Sequence, residues 1–405
     1  MGGIHYLDSN ATTPLDPQVR EAMIPYLTER FINPSAIYKL AQEIRGEVEE
    51  ARAHVARLIH ADPEEIVFTS GGTEADNQAV KGVASALRNK GGHIITSQIE
   101  HHAVLNTCEY MENMGCEVTY LPVDSYGIVD LEALTRAIRG DTILITIMHG
   151  NNEIGTIEPI EEIARIAHEH NIYFHTDAVQ TVGKIRVDVK AMDIDLLSLS
   201  AHKFYGPKGI GALYVRTGVQ IDPLVHGGHH EWNRRAGTEN VAGMIGLGKA
   251  AEIARAELSA NEQKIRSLCT KLEKGILERI PEVIVNGHPD KRLFNTLSVC
   301  LKGIEGESIL LHLDFEGICA SSGSACSSGS LDPSHVLLAT GITPDVAHGG
   351  LRLSLNKFNT EEDIDTVLTV LPLIAEKLRT MSPFWGNKND TDTMRNEAER
   401  YTNRR

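Results

Sequence analysis

The sequence predicts an α/β protein of two domains: a large one built on a mostly parallel sheet covered by helices, and a smaller α+β one. Three observations carry that expectation. From about residue 47, short apolar runs alternate with helical patterns. After about residue 255 the alternation gives way to a long charged helical stretch and a mixture of short strands and helices. The chain has 405 residues, of which 41% are hydrophobic and 23% charged, enough to bury a large core in two or three compact units.

The elements come in order along the chain. Val48, Ala51, Val55 and Leu58 share a helix face. EIVFT reads as a strand, TEADNQAVKGVASAL as a helix, HIITS as a strand and HAVLNTCEYMENM as a helix. VTYLPV, LEALTRAI, ILITIMH, IEEIARIAHEH, IYFHTD and DLLSLS continue the alternation. Sheets of this kind bind ligands beyond the carboxyl ends of their strands. The large domain is expected over residues 15–255. The small domain takes 1–14 and 256–385: a charged helix over about 256–280, then VIVNG, NTLSVCLKG, ESILLHLDFEG, GGLRLSLNKF and a last helix. Residues 386–405 are polar and without periodicity, and read as a flexible tail.

Composition excludes several classes. With 39 basic and 55 acidic side chains the net charge is −16, which argues against nucleic acid as the main partner, since phosphate binding needs a basic face. The start, MGGIHYLDSNATTP, holds no apolar signal core, and no apolar run approaches the roughly 18 residues of a membrane span. A soluble cytoplasmic protein is expected. The six cysteines, at 108, 116, 269, 300, 319 and 326, form no CxxC pair and read by default as reduced thiols.

Several strand ends carry chemistry. In FTSGGTEADN a strand ends, Ser70-Gly71-Gly72-Thr73 turns and a helix begins near Glu74; backbone N–H groups there suit an anion, although an ordinary βα turn looks the same. SLSAHKFYGPKGIGALYV delivers Ser200, His202 and Lys203 at the end of a buried strand. A lysine there can have its amine pKa lowered and become a nucleophile toward a carbonyl. The stretch is no nucleotide P-loop, because GxxxxGK[ST] is absent. IYFHTDAVQ ends a second apolar strand at Asp177, with Gln180 three residues on. Such a carboxylate can keep a pyridine nitrogen protonated and make the ring of pyridoxal phosphate an electron sink; it can also simply cap a helix. ITSQIEHHAV places His101 past another strand, able to cover a ring face and move protons. His101 and His102 could alternatively bind metal, but no third ligand has a recognisable spacing. ITIMHGNNEIG puts Asn151 and Asn152 where they could hydrogen-bond a ring hydroxyl, or serve as turn residues.

Cys326 lies in SSGSACSSGS, residues 321–330, where glycine and serine resist regular structure and favour a mobile loop. The other five cysteines sit in helix or strand patterns, Cys319 being nearest the loop.

Together, SLSAHKFYGPKGIGALYV and SSGSAC, with matching stretches from LDSNATTP to LRLSLNKF, resemble the NifS/IscS-like (group I) cysteine desulfurases. These are fold-type-I, pyridoxal-phosphate-dependent enzymes of the class V aminotransferase superfamily. The resemblance implies a seven-stranded, mostly parallel sheet in the large domain. It implies that Lys203 carries the cofactor, that Asp177 partners the pyridinium, and that Gln180 and Asn152 contact the ring oxygen. Gly72, Thr73, Ser200 and His202 match phosphate ligands, and Thr238, in RRAGTEN, the phosphate contact reaching across from a second subunit. His101 matches the stacking histidine. Arg352 resembles the arginine that grips the substrate carboxylate beside Asn152, a task that suits guanidinium better than ammonium. Cys326 matches the persulfide carrier.

The same resemblance implies an activity: sulfur removal from L-cysteine to give L-alanine and a Cys326 persulfide. A homodimer is implied, as is an iron–sulfur scaffold (NifU/IscU-like) as sulfur acceptor. No intrinsic metal is expected, although Cys326 could transiently ligate a cluster together with the scaffold. No membrane and no direct nucleic acid are expected as partners. The chain departs from the family at NPSAIYKL, with Tyr38 where histidine is common, and at GGHHE, with His229 and His230. Among other readings, an aminotransferase would not need Cys326 and would yield a keto acid, a selenocysteine lyase shares the fold, and a catalytically idle assembly factor would need neither Lys203 nor Cys326.

Overall fold

The computed structural model describes residues 3–322, 333–382 and 385. Its strands are β1 (His5–Tyr6), β2 (Ile66–Thr69), β3 (His93–Ser97), β4 (Glu117–Leu121), β5 (Thr142–Thr146), β6 (Tyr173–Asp177), β7 (Leu196–Ser200), β8 (Gly211–Val215), β9 (Val283–Val285), β10 (Thr296–Leu301), β11 (Ile318–Cys319) and β12 (Gly350–Ser354). Seven of them form one sheet in the order β2-β8-β7-β6-β5-β3-β4. Only β8 runs against its neighbours. This is the mostly parallel seven-stranded sheet the sequence led us to expect.

The strands read as nearly continuous apolar runs because both faces of the sheet are covered. Ile94, Leu144 and Leu196 point into a core with Ala79, Val83, Val104 and Cys108. Their chain neighbours Ile95, Ile145 and Leu197 point the other way, into a core with Val55, Ile59, Ile163 and Leu247. The period of two along each strand thus sorts adjacent residues into two separate cores.

The small domain has an antiparallel sheet in the order β12-β10-β9, and β1 pairs in parallel with β11. Its core gathers Leu272, Ile276, Leu297, Val299, Leu353, Ile364 and Leu371. The charged helix placed over about 256–280 is longer than the sequence suggested: one helix of 39 residues runs over Val241–Arg279. Its first part, through Met244, Leu247 and Ala251, belongs to the large core, and its second, through Ile265, Leu268 and Leu272, to the small one.

That helix also packs closely on the helix Lys39–Ile59. A Cβ added at Gly248 would lie 2.5 Å from Ala51 Cα. Backbone cannot give way there as a flexible side chain would. Gly248→Ala should therefore lower stability by about 1–3 kcal/mol, measured by denaturant unfolding; an unchanged midpoint would mean the helices separate at no cost.

Candidate active site

Parallel strands put their carboxyl ends on one edge of the sheet, and β3, β5, β6 and β7 are consecutive neighbours there. Each is followed by a residue the sequence singled out. His101 caps the helix His102–Asn113 after β3, its Nδ1 accepting from the Ala103 N–H at 3.1 Å. Asn152 follows β5, Asp177 ends β6, and Ser200 ends β7 with Lys203 three residues on.

Lys203 Nζ donates to the carbonyl oxygens of Asn10 at 2.5 Å and Ala11 at 2.9 Å. Gln180 Nε2 donates to the same Asn10 carbonyl at 2.9 Å. Asp177 is buried and accepts from the Val179 N–H at 2.9 Å. Burial pushes its carboxyl up to about 6, although the charge of Lys203 pulls the other way. His101 is pushed down to about 4, first by burial, then by the charges of Lys203, His102 and His335. It is a neutral imidazole at pH 7, and since Nδ1 accepts from Ala103 its proton sits on Nε2.

Beneath Asp177 lies a buried polar layer. His175 is hydrogen-bonded to Thr146 Oγ1 at 2.8 Å and Ser198 Oγ at 2.9 Å, and its Nε2 is 3.7 Å from Asp76 Oδ1. Burial holds His175 down at about 3, and burial together with the charge of Asp177 holds Asp76 well above the usual carboxylate range.

On one side, the helix Gly72–Ala86 begins at the turn after β2, a little earlier than the Glu74 start read from the sequence. No side chain caps its N-cap Gly71. A Cβ at Gly72 would lie 2.6 Å from Val179 Cγ2, so glycine lets this helix start sit against the turn that follows β6. His202 Nδ1 is 3.1 Å from Thr12 Oγ1, and burial lowers this imidazole to about 4. Thr238 is exposed just before the helix Val241–Arg279.

On the other side, Arg352 projects from β12. Its Nη1 donates to the Asn152 carbonyl at 2.9 Å and its Nη2 to Asp8 Oδ1 at 2.8 Å. Its buried Nε has no hydrogen-bond partner among the described residues. The backbone of Arg352 pairs with that of Ser321, which leads into residues 323–332. Cys326 falls in that stretch and lies outside the described residues. The five described cysteines are free thiols, and burial raises each of them.

Sequence reasoning did not single out Asn10, Asp8, Asp76 or Lys184, all of which touch or adjoin this site. The one available signal was a lysine set in the apolar run AVQTVGKIRV.

Residues 5–367 match the family described as Aminotransferase class-V, and the chain belongs to it. It is 57% identical over 378 residues, 93% of each chain, to cysteine desulfurase IscS of Methanosarcina thermophila. It is 56% identical to the cysteine desulfurase IscS of Dictyoglomus turgidum, covering 94% of this chain and 96% of that one. Among solved structures, a NifS-like protein superposes with a TM-score of 0.87 at 40% identity, over 92% of this chain and 99% of the other. SspA in complex with cysteine gives 0.78 at 40% identity, over 88% and 99%. Within its family the chain belongs to the NifS/IscS-like cysteine desulfurases, with a fold-type-I architecture.

Asp177 generates a pH prediction for the cofactor-free protein. A carboxyl with a raised folded pKa stays protonated in the fold while the unfolded chain ionises it. Stability therefore falls as pH rises from about 4 to about 6, and the loss is complete above that. Asp177→Asn should stabilise the cofactor-free protein at pH 7.5 by about 2–3 kcal/mol, and leave it unchanged below about pH 4. Thermal unfolding at the two pH values decides; equal stability at pH 7.5 would show that the carboxylate already has a cationic partner.

Proposed function

We propose that the protein uses pyridoxal phosphate on Lys203 to take sulfur from L-cysteine, and holds it as a persulfide on Cys326 before passing it on. The reading rests above all on the convergence of Lys203, Asp177, His101 and Arg352 at one end of the sheet, in a chain that also carries SSGSAC.

The residues present fit the cofactor. Asp177 is a carboxyl raised by burial, and a protonated pyridine nitrogen would supply the cation that keeps it ionised. The uncapped start of the helix Gly72–Ala86, with Gly72, Thr73, Ser200 and His202, fits a phosphate, and the Cβ-free surface at Gly72 lets it approach. Gln180 and Asn152 suit the ring oxygen, and His101 the ring face. Thr238, exposed in the single chain, suits a phosphate contact across a homodimer interface.

When bound, the cofactor supplies an electron sink for charge developing at the substrate Cα. The chain's residues do the rest. Arg352 holds the substrate carboxylate through its unpartnered Nε–H and neighbouring donors, next to Asn152. Asp177 holds a negative charge under the ring. The Lys203 amine removes the Cα proton. His101, neutral at pH 7 with its proton on Nε2 because Nδ1 accepts from Ala103, manages the proton of the substrate thiol. The Cys326 thiolate forms an S–S bond to the substrate sulfur as the Cβ–S bond breaks; the electron pair stays with the carbon skeleton, which is protonated and leaves as L-alanine. An unperturbed thiol, with a pKa of about 8.5, is only partly ionised at neutral pH, so this step calls for a site that helps ionise it. The persulfide then passes to an iron–sulfur scaffold protein of the NifU/IscU-like kind. The reaction belongs to the cytoplasm, consistent with free thiols at all five described cysteines. Among the described residues no helix is long and apolar enough to cross a membrane, and no group of three or more His, Cys, Asp or Glu could hold a metal ion.

Lys203→Ala should remove the visible absorption of the bound cofactor and lower alanine formation by about 10²–10⁴-fold; turnover near the wild-type rate would end the assignment. Cys326→Ala should bind both cofactor and cysteine yet form little alanine. Peptide mapping of the wild-type protein after brief exposure to cysteine should find one extra sulfur on the peptide holding Cys326. Finding it on Cys319 instead would show that the carrier is a different thiol. Arg352→Lys keeps the charge and loses the planar fork, so KM for cysteine should rise about tenfold or more with cofactor affinity unchanged.

A further inference from the structure

Lys184 is a buried lysine to which the proposed reaction gives no task. It lies four residues after Gln180, in the turn that follows β6. Its Nζ donates to Gln180 Oε1 at 2.8 Å and to Asn10 Oδ1 at 3.2 Å. No carboxylate pairs with it among the described residues. Burial, and after it the positive charges of Lys203 and Arg352, presses its amine well below the ordinary lysine value. A buried lysine with no carboxylate partner is costly to keep where an apolar side chain such as methionine would not be. The turn that carries it is built for the purpose. Gly183 has φ +77°, and a Cβ there would lie 2.6 Å from Phe204 Cβ, next to Lys203. The backbone is therefore committed to a glycine conformation that lowers Lys184 inward.

The two hydrogen bonds settle which way two amides face. A lysine nitrogen here meets oxygen, so Gln180 presents Oε1 to Lys184 and its NH₂ to the Asn10 carbonyl, where Lys203 also donates. Asn10 in turn presents Oδ1 to Lys184 and its NH₂ to the Asn152 carbonyl and Thr296 Oγ1. Without Lys184 the Gln180 amide could turn over and offer oxygen to the place where an anionic ring oxygen is to be met.

We propose that Lys184 is a positioning residue: by holding the side-chain oxygens of Gln180 and Asn10, it keeps the Gln180 NH₂ turned toward the ring oxygen of a cofactor carried on Lys203. This rests on the assignment of Lys203 and Gln180 to the cofactor, which the loss of visible absorption in Lys203→Ala tests separately. A donor aimed at an anionic ring oxygen stabilises that anion and so lowers the pH at which the lysine-bound cofactor loses its proton. Removing Lys184 weakens the donor and raises that pH.

The test is a spectroscopic pH titration of the holoenzyme without substrate. Lys184→Met should keep the wild-type circular dichroism and a visible band that still depends on Lys203. The pH midpoint of that band should rise by about one unit, the size of one charge-assisted hydrogen bond. Gln180→Leu should give a shift in the same direction, and Lys184→Met in the Gln180→Leu background should add nothing, because the lysine acts through the glutamine. A wild-type midpoint in folded Lys184→Met overturns the proposal, and so does a full further shift in the double variant. Should Lys184→Met not accumulate in folded form, Lys184→Leu, which likewise has no donor, is titrated in its place; there too an unchanged midpoint overturns it.

Discussion

The site depends on Asn10. Its backbone N–H donates to Ser354 Oγ, and its side-chain NH₂ to the Asn152 carbonyl and Thr296 Oγ1. Its side-chain oxygen accepts from Lys184 and Asn295, and its carbonyl from Gln180 and Lys203. Ser354, Thr296 and Asn295 belong to the small domain; Asn152, Gln180, Lys184 and Lys203 follow strands of the large sheet. A single buried residue thus satisfies polar groups from both domains and fixes the distance between the lysine and the small-domain wall. Each of these groups would be costly to leave unpaired in the interior, so the network holds together as a unit.

Burial decides the charge states around that hub. His101, His149, His175 and His202 are all lowered to about 3 or 4, while Asp76, Asp177, Glu100, Glu153 and Glu158 are raised. In both directions the first cause is the same removal from water, which penalises whichever form is charged. The interior therefore favours neutral imidazoles and neutral carboxyls. Asp177 stands out as the acid that Lys203 pulls back toward ionisation, and it is the one to which the proposed chemistry assigns a negative charge.

Strand ends were legible in the sequence because a sheet buried on both faces demands mostly apolar runs, and the groups that IYFHTD, SLSAHK and ITSQIEHH bring to the carboxyl ends are the polar ones. The full extent of the helix Val241–Arg279 was not legible. In its first half, VAGMIGLGKAAEIARA, Gly246 and Gly248 allow close approach to Met23 and Pro207 and to Ala51, and its second half buries a different stripe against another core. A single helical period does not run through both. Lys184 and Asn10 were hidden for another reason: a buried polar residue has no periodicity of its own, and only the partners that satisfy it reveal its role. Cys326 was read from composition and motif alone.

Arg352 shows how the two domains share one frame of reference. Its strand β12 pairs with β10 on one side, with Ser321 on the other, and meets the N-terminal segment where Ser354 bridges to Asp8. The guanidinium reaches back to the Asn152 carbonyl, the same oxygen that Asn10 holds. The Arg352 guanidinium is therefore positioned relative to Lys203 through two short links, Asn152 and Asn10. The chain entering the SSGSAC stretch is tied, through Ser321, to the backbone of that same arginine. Under the proposed reaction, the substrate's carboxylate and the chain entering residues 323–332 would share one anchor, so any shift of the small domain would carry both together. The sheet would then hold only the groups to which the proposed reaction gives proton transfer, which tolerate far less displacement.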